Sequence, residues 1–525
     1  MSVKQVRSGL VVLAIAVAAS AQTPRLGTID FPTSGAPAAQ APFIRGVLLL
    51  HSFEYRDAAR AFREAQTIDS EFALAYWGEA MTYAHPIWNE QDLDAGRAAL
   101  QRLGPTRSAR RAKAPTPREK AYLDAVELLY GQGSKAGRDT AYSAAMKRLA
   151  ASYPADREAQ VFYALSLLGL SQGVRNVPTY LRAAAIVEPV FRANPNHPGA
   201  AHILIHCYDD PIHAPLGLAA ARAYSKIAPD AAHAQHMTTH IFLALGMWDE
   251  VVSQNELASG RDRAAWTPHH YTHWLGYGYL QQGRYQEALR HLELMRQNTD
   301  RTTGRGNAVL AQMRADYVIN TEQWDSPSLR WPIDLSQANS RAQAEDAFVT
   351  GFSAFQRGDR AAGMRALEDL DALNRLRPPS GSYVDPVPEI LDRELRAVAR
   401  EAAGGGGAGG ALDAAIVLMR EVTAREDSIP LEFGPPGVVK PSHELLGEML
   451  LRAGRPREAE AQFTQALRLA PKRALALLGL ARAAAAAGDD KTAAQAYGEL
   501  RQIWHRADPN VPGLTEAERF LAARP

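Results

Sequence analysis

Residues 441–473 read PSHELLGEMLLRAGRPREAEAQFTQALRLAPKR, and residues 475–504 read LALLGLARAAAAAGDDKTAAQAYGELRQIW. Equivalent positions in the two segments lie 34 residues apart: Gly454 and Gly488, Ala459 and Ala493, Phe463 and Tyr497. A period of this length is typical of stacked helical hairpins. Small residues let two helices approach, the glycine turns the chain, and the aromatic ring fills the space between neighbouring hairpins.

The same pattern recurs upstream in degenerate form. It is found in FIRGVLLLHSFEYRDAARAFREAQTID, LGMWDEVV, YLQQGRYQEALRHLELM and AFVTGFSAFQRGDRAAGMRALEDL. Alternation of apolar and polar residues at a period of two is essentially absent. The sequence therefore predicts an all-α fold, an α-solenoid of about ten antiparallel helical hairpins.

The C-terminal pair resembles the tetratricopeptide repeat (TPR) family. The residues at that family's small, turn, packing and terminating positions are Gly447, Gly454, Ala459, Phe463, Ala466 and Pro471. The chain is also similar to a group of uncharacterised exported bacterial proteins of tetratricopeptide type, through HSFEYRDA, ALAYWGEAMTYAHPIW, HPGAAHILIHCYDDPIHAP, HAQHMTTHIFLALGMWDE and FGPPGVVKPSHELLGEMLL. The resemblance implies a right-handed superhelix whose concave groove binds ligands, and it implies no particular activity.

The repeat pattern and its interruptions divide the chain into segments. We predict a signal peptide at 1–21, a linker at 22–41, an N-terminal and central array at 42–299, an irregular joint at 300–341, a C-terminal array at 342–507 and a tail at 508–525. The glycine run 404–410 lies between two apolar helical stretches and is interpreted as a hairpin loop.

The N-terminal residues have the pattern of an export signal. Lys4 and Arg7 precede the apolar run GLVVLAIAVAAS, and small residues follow at 19–21. No later apolar run is long enough to span a membrane, so we expect a mature chain without a transmembrane segment, in the periplasm or outside the cell.

Charge and cysteine content exclude several classes of function. The chain has 58 Lys and Arg against 57 Asp and Glu, so it lacks the basic excess that nucleic-acid binding needs. Cys207 is the only cysteine, which excludes an internal disulfide, a thiolate metal cluster and covalent haem attachment.

Histidines are concentrated in one part of the chain. An even distribution would place about two of the fifteen in residues 197–273, but ten lie there. They are His197, His202, His206, His213, His233, His236, His240, His269, His270 and His273. We name seven of them the histidine ladder: His202, His206, His233, His236, His240, His270 and His273.

The histidine ladder is in register with the repeat. The pair His202 and His206 lies 34 residues before the pair His236 and His240, and each pair is four residues apart, on one face of a helix. This face is turned well away from the small residues that pack against the second helix. By the resemblance, the remaining face lines the concave groove.

Imidazoles at this spacing are candidate metal ligands. We predict metal ligation by His202, His206, His236, His240 and His273. Asp209 and Asp210, one turn beyond His206, could add a carboxylate or orient an imidazole, and Asp210 is the predicted ligand of the two. Imidazole with carboxylate suits one transition-metal ion, either Zn, Fe, Cu or Ni. His233 and His270 are predicted to contact a ligand in the same groove.

Further candidates for the groove lie on other repeats. Trp77 and Met81 share the inward face by register, and Glu444 and Glu448 form an inward pair four residues apart. Packing is the alternative interpretation of Trp77 and Met81. His197, His213 and His269 lie beside prolines at expected helix ends, where capping is the ordinary role of a polar side chain.

Two functions remain open from the sequence. In the first, the groove captures a peptide, a protein or a small ligand without metal, and the chain is an exported scaffold. In the second, the histidine ladder holds a metal ion, as a carrier or as a metalloenzyme of unknown reaction. HExxH is absent, and no GxSxG, P-loop or GxGxxG occurs in a strand-turn-helix context, so the sequence names no reaction.

Overall fold

The computed structural model describes residues 24–172, 174–261, 268–299, 304–376, 384–404 and 410–523. Within these ranges the chain forms 25 α-helices, two short 3₁₀ helices at Pro86–Trp88 and Pro327–Arg330, and one antiparallel pair of strands, β1 (Ala84–His85) and β2 (Glu90–Gln91). The all-α prediction is confirmed. None of the helices in the described part is both long and apolar enough to cross a membrane.

The first thirteen helices carry the N-terminal and central hairpins. They are α1 (Pro37–His51), α2 (Tyr55–Ile68), α3 (Ala73–Met81), α4 (Leu93–Leu103), α5 (Arg107–Ala112), α6 (Pro117–Leu129), α7 (Lys135–Ser152), α8 (Arg157–Gly169), α9 (Val177–Ala193), α10 (Pro198–Cys207), α11 (Ala214–Ile227), α12 (Ala232–Ala244) and α13 (Trp248–Arg261).

The remaining helices complete the array. They are α14 (His270–Gln281), α15 (Tyr285–Gln297), α16 (Gly304–Thr321), α17 (Ser340–Gln356), α18 (Arg360–Arg375), α19 (Val387–Ala403), α20 (Gly410–Asp427), α21 (Ser442–Arg452), α22 (Pro456–Leu469), α23 (Ala474–Ala487), α24 (Asp490–Ile503) and α25 (Leu514–Ala522). Consecutive helices pair into eleven hairpins in the described chain, with α5, α16 and α25 as additional helices, against about ten hairpins predicted.

An aromatic ring between two glycines joins neighbouring hairpins at both ends of the array. A Cβ atom added at Gly447 would lie 2.8 Å from the Phe463 ring, and one added at Gly479 would lie 2.2 Å from it. Phe62 lies between Gly46 and Gly78 in the same way, at 2.7 and 2.3 Å. Because only a glycine leaves room for the ring, these positions set how closely successive hairpins stack.

Two predicted segments, the linker and the tail, differ from the structure. Helix α1 begins at Pro37, inside the predicted linker 22–41, and the preceding extended residues bury Leu26 and Phe31. The predicted tail 508–525 contains helix α25, which buries Ala517 against α24. The predicted signal peptide and the centre of the glycine loop, residues 405–409, lie outside the described residues.

The C-terminal hairpins pack against the turns of the central hairpins. The Trp248 indole donates to the carbonyl of Lys472 at 2.9 Å, and the Trp504 indole donates to the carbonyl of Gln281 at 3.1 Å. Arg473 is fully buried at this junction and donates to the Tyr277 hydroxyl at 2.9 Å. The array therefore makes contacts between hairpins far apart in sequence.

The first hairpin closes on the central hairpins from the other side. The His51 carbonyl accepts from the His202 ring at 2.6 Å, and the Glu54 carboxylate accepts from the backbone N–H of His233 at 3.0 Å. Helix faces that the sequence assigned to an open groove are therefore covered by the chain itself.

Candidate metal centre

The first helices of three successive hairpins carry the histidine ladder. His202 and His206 lie on α10, His233, His236 and His240 on α12, and the last two on α14. The five on α10 and α12 are between 0 and 5% exposed. The predicted open groove is wrong for these residues, because the first hairpin and the C-terminal half enclose them.

Three histidine side chains bring their Nε2 atoms close together between α10 and α12. The Nε2 atom of His202 lies 3.1 Å from that of His206 and 3.2 Å from that of His233. These three residues each offer one donor atom to a common centre from two different helices. We call them the three-histidine site.

The backbone of the first hairpin fixes the tautomer of His202. A carbonyl oxygen only accepts, so the Nδ1 atom of His202 must carry the hydrogen that it shares with the His51 carbonyl. The neutral ring then has a bare lone pair at Nε2, directed at the other two imidazoles.

Burial keeps the imidazoles uncharged. It lowers the pKa of His202 to about 3, and it lowers the pKa values of His206, His233, His236 and His270 well below the ordinary range, with neighbouring imidazoles adding to the effect. Neutral imidazole is the form that binds metal, so these rings are ready to act as ligands at neutral pH.

A second pair of imidazoles lies beside the three-histidine site. The Nε2 atoms of His236 and His240 are 3.1 Å apart, and the His206 and His240 ring centres are 5.6 Å apart. His240 is held through Nδ1 by the Asp209 carboxylate. A carboxylate on the far nitrogen of an imidazole is the usual support of a metal-binding histidine.

Aromatic rings enclose both groups of histidines. The Phe53 ring centre lies 4.2 Å from that of His202, and Trp274 lies 4.3 Å from His240. Tyr271 stacks on His236 at 4.0 Å, and Phe433 covers His240 at 5.3 Å. The apolar walls lower the local dielectric and so strengthen any bond to a cation.

Two predicted metal ligands and one predicted groove residue lie differently from the expectation. His273 is directed at Asp316, with its Nε2 atom 2.7 Å from the carboxylate. Asp210 is held by Arg175 at 2.9 Å and by the His213 ring, so the neighbouring Asp209 supplies the carboxylate of the ladder. His270, predicted to face a groove ligand, lies edge-on to His236 with ring centres 4.5 Å apart.

The predicted groove residues outside the histidine ladder are packing or ion-pair residues. Trp77 is fully buried, with its ring centre 5.2 Å from that of Phe162, and Met81 is buried with its sulfur 3.7 Å from the Tyr142 hydroxyl. Glu444 pairs with Arg473 and Lys440. Glu448 pairs with Lys440 as well, so neither carboxylate approaches the histidines.

The capping roles predicted for three histidines are found at two. The His197 ring accepts from the Ala200 N–H at 3.2 Å and the His269 ring from the Tyr271 N–H at 3.1 Å. His213 stands at an N-cap position, but its ring bonds to Asp210. His197 also lies 2.9 Å from Glu158, which binds the His51 ring at 2.6 Å.

A cavity of about 410 Å³ lies next to the outer end of the ladder. Its walls include Asp209, Trp248 and the proline-rich segment 430–437. Phe433 of that segment lines the cavity and lies against the His240 ring. The size suits a small organic ligand or a short peptide segment.

Sequence reasoning missed the groups that orient the imidazoles. Asn255 on helix α13 contacts His236. Because α12 and α13 form one hairpin, the sequence could have indicated this partner. Tyr271 follows a ladder histidine directly and bonds to His233 at 2.6 Å. His51 lies 34 residues before His85 and faces inward by the repeat register. That its carbonyl contacts His202, and that Phe433 covers His240, depends on how distant hairpins meet and is not contained in a local pattern.

Comparison with known proteins identifies the repeat. Residues 445–512 match the family model described as tetratricopeptide repeat. No curated protein matches the chain.

Solved structures of similar fold include yeast Tom70 (11% identity over 93% of this chain and 96% of that chain, TM-score 0.30). They also include a human IFIT1 dimer (14% identity, 91% and 92% covered, TM-score 0.34) and the Cut9–Hcn1 tetramer (12%, 94% and 78%, TM-score 0.32). Similarity at this level concerns the fold alone. The family model identifies a tetratricopeptide repeat at residues 445–512, and together with the helical hairpins that continue through the described chain this match supports an assignment to the tetratricopeptide repeat superfamily.

Proposed function

We propose that the protein is a metal-binding solenoid in which His202, His206 and His233 hold one transition-metal ion. The convergence of their three buried Nε2 atoms carries the proposal. The stacked hairpins of the protein serve as a rigid scaffold that holds the nitrogen donor atoms of α10 and α12 in one place.

Counting hydrogens supports a cation at this point. The Nε2 lone pair of His202 has two imidazole neighbours within 3.2 Å, and one lone pair accepts one good hydrogen bond. At most one of the two contacts is therefore an ordinary hydrogen bond. A cation at the centre lets all three nitrogens direct a lone pair at it.

The distances suit a metal ion after a small adjustment. Three nitrogens bonded at about 2.1 Å to a tetrahedral ion lie about 3.4 Å from one another. The observed separations of 3.1 and 3.2 Å therefore need to open by a few tenths of an ångström. Ligation by imidazole alone favours Zn, Cu(II), Ni or Fe(II), and a fourth position stays open for water or another ligand.

Residues 1–21 support a place for this site outside the cytoplasm, since a basic start, an apolar run and small residues form an export pattern. The ion would then be taken up in the periplasm or outside the cell.

The competing function is a scaffold that binds an organic ligand without metal, and the cavity beside Asp209 and Trp248 favours it. Metal content separates the two functions.

The test is elemental analysis of the mature chain, purified without a histidine tag and then offered Zn, Cu(II), Ni and Fe(II) in turn. We expect at least one equivalent of one metal to remain bound through gel filtration and to raise the unfolding temperature. His202→Ala and the milder His206→Gln should each bind one equivalent less than the wild type, while His505→Ala should bind as much as the wild type, because His505 is exposed on another repeat. A folded wild-type chain that retains none of the four metals contradicts the proposal.

A further inference from the structure

His236 and His240 form a second convergent pair on helix α12. They are 0 and 2% exposed, and their Nε2 atoms face each other at 3.1 Å. The separation of four residues places both rings on one face of one helix, which is the arrangement of a two-histidine chelate.

The tautomer of His236 is fixed by an asparagine whose own orientation is fixed. The Asn255 Nδ2 group donates to the Val251 carbonyl at 3.0 Å, so the amide oxygen is the atom that faces His236 Nδ1 at 2.8 Å. Nδ1 must donate to that oxygen. The Nε2 atom of the neutral ring then has no hydrogen to offer.

The tautomer of His240 is fixed by a carboxylate. Nδ1 donates to the Oδ2 atom of Asp209, which is 1% exposed. The Oδ1 atom of the same carboxylate is buried and has no hydrogen-bond partner among the described residues. When His240 is neutral, two bare lone pairs therefore meet at 3.1 Å, next to a buried negative charge that is only half satisfied.

We infer that a second transition-metal ion binds between the Nε2 atoms of His236 and His240, which makes the histidine ladder a two-metal centre. The inference rests on the proposed function of the three-histidine site. The two sites adjoin, since the ring centres of His206 and His240 are 5.6 Å apart and those of His233 and His236 are 6.2 Å apart.

The charges of the site match a second cation. Asp209 contributes a buried negative charge, and the buried Arg175, which donates to the His206 carbonyl, pairs with Asp210 instead. The competing occupant is a proton on His240, which would form an imidazolium paired with Asp209 and donate to His236. The proton and the metal ion require the same lone pairs, so only one of them can be present at a time.

Titration of the metal-free chain with Cu(II) or Co(II) tests the inference. We expect two equivalents bound by the wild type and by His505→Ala. His236→Gln and His240→Gln should each bind one equivalent. His202→Ala should lose the first ion and keep the pair at His236 and His240.

The outcomes separate the two proposals. No bound metal in the wild type overturns the proposed function itself. One equivalent that survives His236→Gln but not His202→Ala leaves the three-histidine site standing and overturns the second ion. One equivalent lost in both variants shows a single shared ion and also overturns it.

A second measurement uses the wild type alone, so it does not depend on whether a variant folds. Two Cu(II) ions at adjoining sites couple magnetically, so the paramagnetic resonance spectrum should gain a half-field transition between one and two equivalents. A spectrum that at saturation is only the sum of isolated Cu(II) signals contradicts the two-metal centre.

Discussion

His51 acts on the candidate metal centre through its backbone, and a single glycine sets its position. The His51 ring is held between Glu158, at 2.6 Å, and Phe162, with ring centres 4.9 Å apart. Its carbonyl oxygen orients His202. A Cβ atom at Gly199 would lie 2.3 Å from the Nδ1 atom of His51, so the ring and a side chain at position 199 cannot both be present.

We therefore predict that Gly199→Ala destabilises the fold by about 1–3 kcal/mol, the usual cost of forcing an extra carbon into a packed core. It should also weaken metal binding, because His202 loses its fixed partner. Urea unfolding and metal titration measure the two effects. Gly498→Ala is the matched control, since nothing lies within 4 Å of that position on helix α24, and it should stabilise the chain by up to about 1 kcal/mol. Equal effects of the two variants would contradict the packing described for Gly199.

Glu345 is a buried carboxyl group away from the histidines. It is 5% exposed on helix α17, and its Oε2 atom lacks a hydrogen-bond partner in the described chain. Burial raises its pKa from 4.5 to about 8. The folded chain therefore holds a proton that the unfolded chain has released, and this contribution to stability is lost as the pH rises from about 4.5 to about 8.

Across that window the wild type should lose about 1.4 kcal/mol of stability per pH unit relative to Glu345→Gln, which has no proton to lose. Urea unfolding at pH 5 and pH 8 measures the difference. Glu518→Gln, at an exposed position on helix α25, should track the wild type at both values. If Glu345→Gln also tracks the wild type, the carboxyl group is ionised in the folded chain and its described burial is wrong.

At the residue scale the sequence predicts which histidines share a face but not what holds their second nitrogen. Register along the repeat identified His202, His206, His236 and His240, since helical periodicity is local. The choice of Asp210 over Asp209 depended on the turn after α10, which sends one carboxylate to Arg175 and the other to His240. No periodic pattern contains that information.

At the scale of elements, the hairpins follow from the sequence because their packing residues recur. Phe463 stands between Gly447 and Gly479, sixteen residues from each, and Phe62 stands between Gly46 and Gly78 at the same spacing. The clash distances show that both rings occupy the space the glycines leave. The repeat in the sequence therefore corresponds to a contact between an aromatic ring and two glycines that recurs in the structure.

The element boundaries follow less well. The predicted array begins at residue 42, but the buried stripe of α1 extends back to Ala39 and the helix to Pro37. Residues 508–525 are predicted to be a tail. Helix α25 nevertheless covers the last hairpin, with the Phe520 ring centre 5.0 Å from that of Tyr497, as a terminal repeat requires.

At the scale of the whole molecule, contacts between distant hairpins set this array apart from one in which each repeat touches only its neighbours. Arg473 is the centre of one such junction. It donates to Glu444 at 2.7 Å, to Tyr277 at 2.9 Å and to Asn320 at 3.0 Å, and it is fully buried. It therefore ties the loop before α23 to helices α14 and α16.

Arg473→Met should cost about 3–5 kcal/mol, because it leaves the buried Glu444 with Lys440 as its remaining cation. Amide hydrogen exchange should quicken in α14 and α16 as well as in α21 and α23. Arg501→Met, at an exposed position on α24, should leave the exchange of all four helices unchanged. If Arg473→Met changes the exchange only in α21–α24, the described contacts between this loop and helices α14 and α16 are contradicted.

The contacts between distant hairpins also explain why the histidine ladder is buried, although the sequence predicted that it lines an open groove. Periodicity assigns a residue to a face of its helix, whereas the curvature of the superhelix decides what that face meets. Here it meets Phe53 and the His51 carbonyl on one side and Phe433 on the other. A polar face turned into an aromatic enclosure must be satisfied from within, by hydrogen bonds or by a cation.

X-ray absorption at the metal edge, on the wild-type chain loaded with one equivalent of Zn or Cu(II), measures directly whether imidazoles hold the ion. We expect about three imidazole nitrogens near 2.0–2.1 Å from the metal, with the outer-ring scattering typical of imidazole, and a decrease to about two in His202→Ala, in which only the pair His236 and His240 remains. A spectrum without imidazole scattering, or one that is unchanged in His202→Ala, would contradict this expectation.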